Sequence, residues 1–406
     1  MKKKFLIETF GCRVNQYESQ LLREQLQEIG WQEADEGVDL CVIHSCSVTA
    51  SAEKSCKNRL RALCKKHRSA RIVVFGCFAK RDPLALQAID PRVEVMVETQ
   101  REKILFFLTK KQDICCEKNF ITHFQGHTRA FVKVQDGCSA ACSYCIIPQL
   151  RGPSSSRTIE EILREIEELV AGGYQEIVLT GVNIGEYAFG LSKLIQAIDI
   201  HTKVKRLRLS SIEPNHLSDH LIKTLIEGRA TMPHLHLVLQ SASNAILKKM
   251  RRPYTREIFL KKVEEMRAHK SHFSFTTDLI VGFPSETQED FLQTVDFVEK
   301  VGFVKVHIFP YSKRPNTAAE KMPGHLPGKE VVRRKKELFA VAEDASFRER
   351  EKFVGQEVEL LLENGGLMGY SPQFIPVRMQ VPGVANQIVQ VKILENQKEG
   401  LLGRKK

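Results

Sequence analysis

Nothing in this chain of 406 residues approaches the ~20 apolar residues in a row that cross a bilayer, which excludes a helical membrane protein. The opening Met1-Lys2-Lys3-Lys4-Phe5-Leu6-Ile7 is basic and then apolar, but Glu8 interrupts it at once, so a secretory signal is not expected and the cytoplasm is. Internal repeats and low-complexity tracts are absent. Aromatic residues are few, at 7% with one Trp, yet hydrophobic residues reach 42%, enough for folded cores in two or three domains. Acidic residues are short in supply, 49 against 61 basic, and the net charge of +12 points to a polyanionic partner without singling out nucleic acid.

Cysteine is present in an odd count of eleven, which argues against a complete disulfide set. In a reducing compartment clustered thiols suggest metal or redox chemistry instead.

Short apolar runs alternate with helical periodicity through the first ~110 residues. Phe5-Leu6-Ile7, Leu40-Cys41-Val42-Ile43 and Ile72-Val73-Val74-Phe75 read as buried strands, and 17–29 and 52–66 as helices. This alternation predicts an open parallel sheet with helices on its faces. From Ala130 a second series begins, with strands at 131–134, 176–179, 206–209, 235–239, 274–280 and 305–309. Helical patterns at 158–171, 256–268 and 289–301 fall between them, so a partial (βα)6 barrel of TIM type is expected. A charged helix at 331–352 precedes strand-like runs at 358–362 and 387–393, read as a small β-barrel. The fold class is α/β, with expected domains at 1–124, 125–350 and 351–406.

Cys138-Ser-Ala-Ala-Cys142-Ser-Tyr-Cys145 is the sharpest signal. Zinc wants four ligands and no fourth is nearby, whereas three thiolates suit an iron–sulfur cubane with one iron left open. Cys12, Cys46 and Cys77 each end a predicted parallel strand, where such ends converge; they either hold a second cluster or are buried core cysteines. Cys41, Cys56, Cys64, Cys115 and Cys116 read as ordinary.

The stretch from His127 through Cys138, with Cys142-Ser-Tyr-Cys145-Ile-Ile-Pro148, resembles the radical-SAM core of the methylthiotransferases. Gly11-Cys12-Arg13-Val14-Asn15-Gln16-Tyr17-Glu18-Ser19, His44-Ser45-Cys46 and Phe75-Gly76-Cys77 resemble the family's amino-terminal signatures. Leu239-Gln240-Ser241 with Ile246–Met250 resembles a barrel strand and its helix, and Gly369–Arg378 the TRAM module, a small RNA-binding β-barrel. The resemblance spans nearly the whole chain. It implies two [4Fe–4S] clusters, an auxiliary one on Cys12, Cys46 and Cys77 and one facing S-adenosylmethionine (SAM) on Cys138, Cys142 and Cys145. In the family, reductive cleavage of SAM yields a 5′-deoxyadenosyl radical that abstracts hydrogen from adenine C2, and a methylthio group takes its place. Thr180, Gly181 and Asn183 are expected near the methionine part of SAM. Ser211 and Glu213 are expected near its ribose, although Glu213 also fits an ordinary loop carboxylate. Asp278–Pro284 resembles the adenine-side strand and turn.

The chain departs from the family pattern at His44-Ser45, where Asn-Thr is usual, and at Ala242 and Ser285, where glycine is common; Ala242 is expected to shift its loop. The Gly11–Ser19 stretch looks most like the branch acting on N6-threonylcarbamoyladenosine beside the tRNA anticodon. Isopentenyl-adenosine in tRNA is the alternative substrate, and a non-catalytic iron–sulfur RNA-binding protein the alternative class. Implied partners are the tRNA anticodon stem-loop, an electron donor such as a flavodoxin or ferredoxin, and a sulfur donor. Lys54 to Arg71 holds eight basic residues and no acid, either a phosphate-tracking face or a solvated one, and Lys248, Lys249, Arg251, Arg252 and Arg256 form a second cluster.

Overall fold

The computed structural model describes residues 2–97, 101–109, 119–363 and 365–406. Two compact units emerge: residues 1–125 with 136–140 and 145–154, and the remaining residues to 406.

The first unit is a five-stranded, all-parallel sheet in the order β2-β1-β3-β4-β5. Its strands are β1 (Lys4–Thr9), β2 (Gln32–Glu33), β3 (Leu40–Ser45), β4 (Arg71–Gly76) and β5 (Val93–Val95). Every residue of β3 is buried, because helices cover both faces of a parallel sheet. On one face Cys41, Ile43, Ile72 and Val74 pack with Cys56, Leu60, Leu63 and Cys64 of α2 (Ala50–Lys66). On the other, Leu40, Val42 and Val73 pack with Leu22 and Leu26 of α1 (Arg13–Glu28). Thr49 starts α2 by accepting a hydrogen bond from the Ala52 amide at 3.2 Å, which explains why the periodicity is legible from there. The shorter helices of this unit are α3 (Cys77–Arg81), α4 (Pro83–Gln87), α5 (Arg101–Thr109) and α6 (Ile147–Arg151). Cys41, Cys56 and Cys64 are core residues, as expected; Cys115 and Cys116 lie outside the described residues.

The second unit carries six parallel strands in sequence order. β6 (Arg129–Lys133), β9 (Glu176–Thr180) and β10 (Arg206–Leu209) form one sheet, and β11 (His234–His236), β12 (Ser274–Val281) and β13 (Lys305–Pro310) the other. Bridges Leu207–Thr231 and Ile212–Leu237 join the two into a partial barrel. The two-residue strands β7 (Gln135–Asp136) and β8 (Ser155–Ser156) follow β6. The helices are α7 (Ile159–Ala171), α8 (Leu191–His201), α9 (Asp219–Glu227), α10 (Asn244–Lys249), α11 (Arg256–His269), α12 (Gln288–Val301) and α13 (Gly328–Glu351). Capping boxes at Thr158/Glu161 and Thr287/Asp290 start α7 and α12.

A closed barrel in the order β14-β15-β16-β18-β17 completes this unit, from β14 (Glu357–Leu362), β15 (Met368–Tyr370) and β16 (Pro376–Met379) to β17 (Ile388–Gln397) and β18 (Gly400–Lys405). Val358, Leu360, Val377, Val389, Val391 and Ile393 alternate inward to form its core. Its Tyr370–Phe374 loop plugs the amino-terminal end of the larger barrel. Arg129, the first residue of β6, lies over the rings of Tyr370 and Phe374 at 4.6 and 5.2 Å. His234, which opens β11, stacks on Phe374, and Ser274, which opens β12, donates to the Gln373 carbonyl at 2.6 Å. Tyr370, Gln373 and Phe374 of the segment resembling the TRAM signature thus make contacts within the unit. Among the described residues no helix is long and apolar enough to cross a membrane.

Candidate active site

In the order 2-1-3-4-5 the winding of the sheet reverses between β1 and β3, and open α/β sheets bind ligands at the carboxyl ends of the strands flanking that point. Cys12 follows β1 as the amino-terminal cap of α1, Cys46 follows β3, and Cys77 opens α3 directly after β4. Burial, reinforced by the charges of Cys12 and Cys77, pushes the Cys46 thiol up to about 12, while the Val48 amide and Arg151 act against the rise. Burial also raises Cys77, with Arg151 opposing. These thiols keep their protons when alone and would give them up to solvent on binding a cationic group.

The loop geometry is built for close sulfur packing. Gly11 has φ +105°, and a Cβ there would stand 2.8 Å from Cys46 Sγ. Asn15 Nδ2 donates to the Phe10 carbonyl at 2.8 Å and the Ser45 carbonyl at 3.3 Å, tying together the loops that carry Cys12 and Cys46. Its Oδ1 lies 3.6 Å from Cys12 Sγ and accepts from Arg151 at 2.8 Å. Arg151, buried, also pairs with Glu18 at 2.9 Å and Asp136 at 2.8 Å. Three thiolates with no fourth ligand among these groups fit the donor set of an iron–sulfur cubane with one open iron.

The Cys138–Cys145 loop follows the first barrel strand. Gly137, at φ +70°, brings the backbone so close to Pro153 that a Cβ would overlap its carbonyl oxygen, and the Cys138 amide donates to the Gly152 carbonyl at 3.0 Å. Cys138, Cys142 and Cys145 are all partly exposed. Cys142 Sγ accepts from Arg252 Nη1 at 3.1 Å, and Arg252 Nη2 pairs with Glu213 Oε1 at 2.9 Å. Burial weakens the hold of Arg252 on its proton, but Tyr144, Tyr254, Cys142 and Glu213 around it more than offset this. Arg252 thereby sets a charged donor directly against one sulfur of this set. Glu213 is thus a wired carboxylate at the carboxyl side of β10, not a free loop acid.

Thr180 ends β9 and is buried. Gly181 runs against Gln135, whose Oε1 would lie 2.8 Å from a Cβ there and accepts from the Asn183 amide at 2.9 Å. Asn183 Nδ2 donates to Glu186 at 3.2 Å, and Ser211 is exposed. The expected SAM-side residues therefore lie on the loops after β9 and β10, at the carboxyl ends of adjacent strands.

Two sequence expectations change. Ala242 does not lie in the left-handed region, and its amide donates to Thr294 Oγ1 at 3.1 Å, so no glycine is required there; the strained backbone is at Gln240, φ +67°. Arg252 does not belong to a basic surface, since it is sealed between Cys142 and Glu213, and Arg256 is paired with Glu257. Ser285 does hold φ +62°, anchored by donating to the Pro323 carbonyl at 2.8 Å. His44 takes the usual Asn position by stacking on Phe75 at 4.2 Å and bonding Ser19 at 3.0 Å. Sequence reasoning missed Arg151 and the role of Arg252. Neither has a local signal, because their partners come from remote segments.

On α2, Cys56, Leu60, Leu63 and Cys64 face the core, leaving Lys54, Arg61, Lys65 and Lys66 exposed, with Arg68 exposed just beyond the helix. Arg59 is taken up by Glu8, and Arg71 by Glu94 and the Leu108 carbonyl.

Strand-end cysteines and a partial six-stranded parallel barrel define a radical-SAM protein. The Radical SAM superfamily model matches residues 132–298, and that of the uncharacterized protein family UPF0004 matches residues 4–98. The chain is 41% identical to the threonylcarbamoyladenosine tRNA methylthiotransferase MtaB of Chlamydia pneumoniae, over 99% of this chain and 98% of the relative. It is 36% identical to the MtaB of Thermotoga maritima, over 92% and 90%. Against the tRNA-2-methylthio-N(6)-dimethylallyladenosine synthase of Streptomyces viridosporus it is 35% identical, over 89% and 77%. Among solved structures, the radical SAM methyltransferase TsrM of Kitasatospora setae shares the fold at a TM-score of 0.58 and 14% identity, over 79% of this chain and 77% of that one. The chain belongs to the radical-SAM tRNA methylthiotransferases.

Proposed function

We propose that this protein attaches a methylthio group to C2 of N6-threonylcarbamoyladenosine in tRNA. The near full-length likeness to relatives named for that reaction carries the reading. The arrangement of two cysteine sets at strand ends, one in each matched family region, supports it.

In this reading the modules are residues 1–124, 125–350 and 351–406. Cys138, Cys142 and Cys145 hold the SAM-facing [4Fe–4S] cluster, and Cys12, Cys46 and Cys77 the auxiliary one. When bound, these cofactors supply reductive SAM cleavage and the sulfur-bearing group. The chain's own residues do the positioning. Arg252 donates to Cys142 and fixes Glu213, which accepts from the ribose hydroxyls of SAM. Ser211 would face that ribose, and Thr180, Gly181 and Asn183 would hold the methionine part. Asn15 and Arg151 hold the auxiliary loops in register. An electron donor such as a flavodoxin or ferredoxin and a separate sulfur donor complete the reaction in the cytoplasm.

Incubating the reconstituted enzyme with tRNA bearing threonylcarbamoyl-adenosine, and separately with isopentenyl-adenosine tRNA, followed by nucleoside mass spectrometry, tests this. Product from the first supports the reading. Product from the second alone moves the chain to the branch of its 35% identical relative. No 5′-deoxyadenosine from the reduced enzyme would leave an RNA-binding iron–sulfur protein.

A further inference from the structure

Outside both cysteine sets, three metal-ligating side chains meet on the inner face of the larger barrel. The register pairs His236 of β11 with Thr276 of β12, and Asp278 of β12 with His307 of β13. Side chains alternate along a strand, so Thr276 and Asp278 share one face, while Phe275, Thr277 and Leu279 are buried on the other. One nitrogen from each histidine and one Asp278 oxygen all lie within 4.8 Å of one another. His236 Nε2 stands 3.4 Å from Asp278 Oδ1 and is buried without a hydrogen bond.

We propose that His236, Asp278 and His307 bind a divalent first-row transition-metal ion, in a site separate from the cysteine sets. Two imidazoles and one carboxylate on adjacent positions form a facial set that suits Zn²⁺, Fe²⁺ or Mn²⁺ and leaves coordination positions open. The surroundings are arranged as such a site requires. Thr276 Oγ1 lies 2.9 Å from His236 Nδ1 and 3.1 Å from His234 Nε2. A hydroxyl accepting the Nδ1 proton leaves the Nε2 lone pair for the ion, the outer-shell orientation that fixes metal-binding histidines. Asp278 supplies the negative charge that two neutral imidazoles lack. The open positions take a carboxylate or carbonyl oxygen, so the ion would serve as an anchor for an oxygen-bearing ligand in the barrel.

The test uses the cluster-loaded full-length protein, equilibrated by dialysis with zinc as probe and counted for zinc and iron by mass spectrometry. Zinc binds nitrogen and oxygen sites more tightly than manganese or ferrous iron, so it reports the site for all three. Wild type should hold one more zinc per chain than His307→Ala or Asp278→Asn, with iron unchanged in all. His307 is exposed, so its removal leaves the core intact. Thr276→Val, which keeps the shape and loses the hydroxyl, should weaken zinc about 10- to 100-fold. Equal zinc in wild type and both ligand variants, or none in wild type, overturns the proposal and leaves the three groups a hydrogen-bonded cluster.

Discussion

Arg208 Nε donates to Glu176 Oε1 at 2.7 Å with both side chains sealed from water. Arg208 also bonds the Ser371 and Pro372 carbonyls at 2.8 and 2.9 Å, so this pair links the base of the larger barrel to the loop of the smaller. Burial pulls Arg208 down to about 10, while Glu176 holds its proton in place. For Glu176, Arg208 and Arg206 outweigh burial and keep the carboxylate ionised.

Replacing Glu176 by Gln leaves the buried Arg208 guanidinium without a carboxylate and Arg206 with only Glu359, 3.8 Å away. The expected loss is about 3–5 kcal/mol, read as a lower midpoint in denaturant. The exposed pair Lys223–Glu227, 4.0 Å apart, supplies the contrast: Glu227→Gln should cost about 0.5 kcal/mol or less. Equal small effects from both variants would mean the buried network contributes little.

Gly11→Ala should disable the auxiliary set alone. The φ of +105° and the 2.8 Å approach to Cys46 Sγ leave no place for a methyl group. Iron per chain should fall by about half, with SAM cleavage retained and methylthio product lost. A variant with full iron content would show that Cys12 and Cys46 need no such proximity.

Arg252→Met removes the donor to Cys142 and frees Glu213. Iron should stay in place while SAM cleavage falls about 10- to 100-fold, the range typical of groups that position ligands. Part of the loss should appear as a raised KM for SAM, because Glu213 no longer has a fixed position. An unchanged KM and rate would return Arg252 to a purely structural role.

The core thiols set an alkaline limit. Burial raises Cys41 to about 11 and Cys56 to about 12 from an ordinary 9.0. A raised folded-state value contributes stability that is whole below pH 9 and is lost as pH climbs toward 11 and 12, because the unfolded chain gives up these protons first. Denaturant midpoints should therefore decline across that window, and less steeply in Cys41→Ala than in wild type. An identical decline in the variant would assign it to other groups.

The parallel strands are legible because β3 and β4 hold the apolar runs Leu40–Ile43 and Ile72–Phe75, and the cysteines because each lies within a few residues of a strand end. The edge strand β2, two residues long, and β15, beside glycines, carry too little pattern to read. Arg252 looked like one more base in a basic stretch. Its inward turn depends on Cys142 and Glu213, which are remote in sequence, and no local rule shows that. Likewise, the packing of Arg129 and His234 on Tyr370 and Phe374 joins segments remote in sequence and has no local signal.

The exposed face of α2 gives the last prediction. Lys54, Arg61 and Lys65 recur at spacings of seven and four residues, so they share one solvent-facing side of the helix, and Arg68 is exposed just beyond its end. Lys57 is less available, since its ammonium lies over the Phe78 ring at 5.4 Å, and Arg59 is held by Glu8. If the four exposed bases track tRNA phosphates, each neutralised contact adds about 0.7–0.9 to the slope of log affinity against log salt. Changing all four to Gln should flatten that slope by about 3 and weaken binding most at low salt. Folding should be unaffected, as the changes are on solvated positions, and SAM cleavage without RNA should persist. Affinity for one tRNA measured at several salt concentrations, for wild type and variant, reads the difference directly. A slope identical in both proteins would mean that this face is only solvated and that the phosphates meet other bases, such as Lys248 and Arg251.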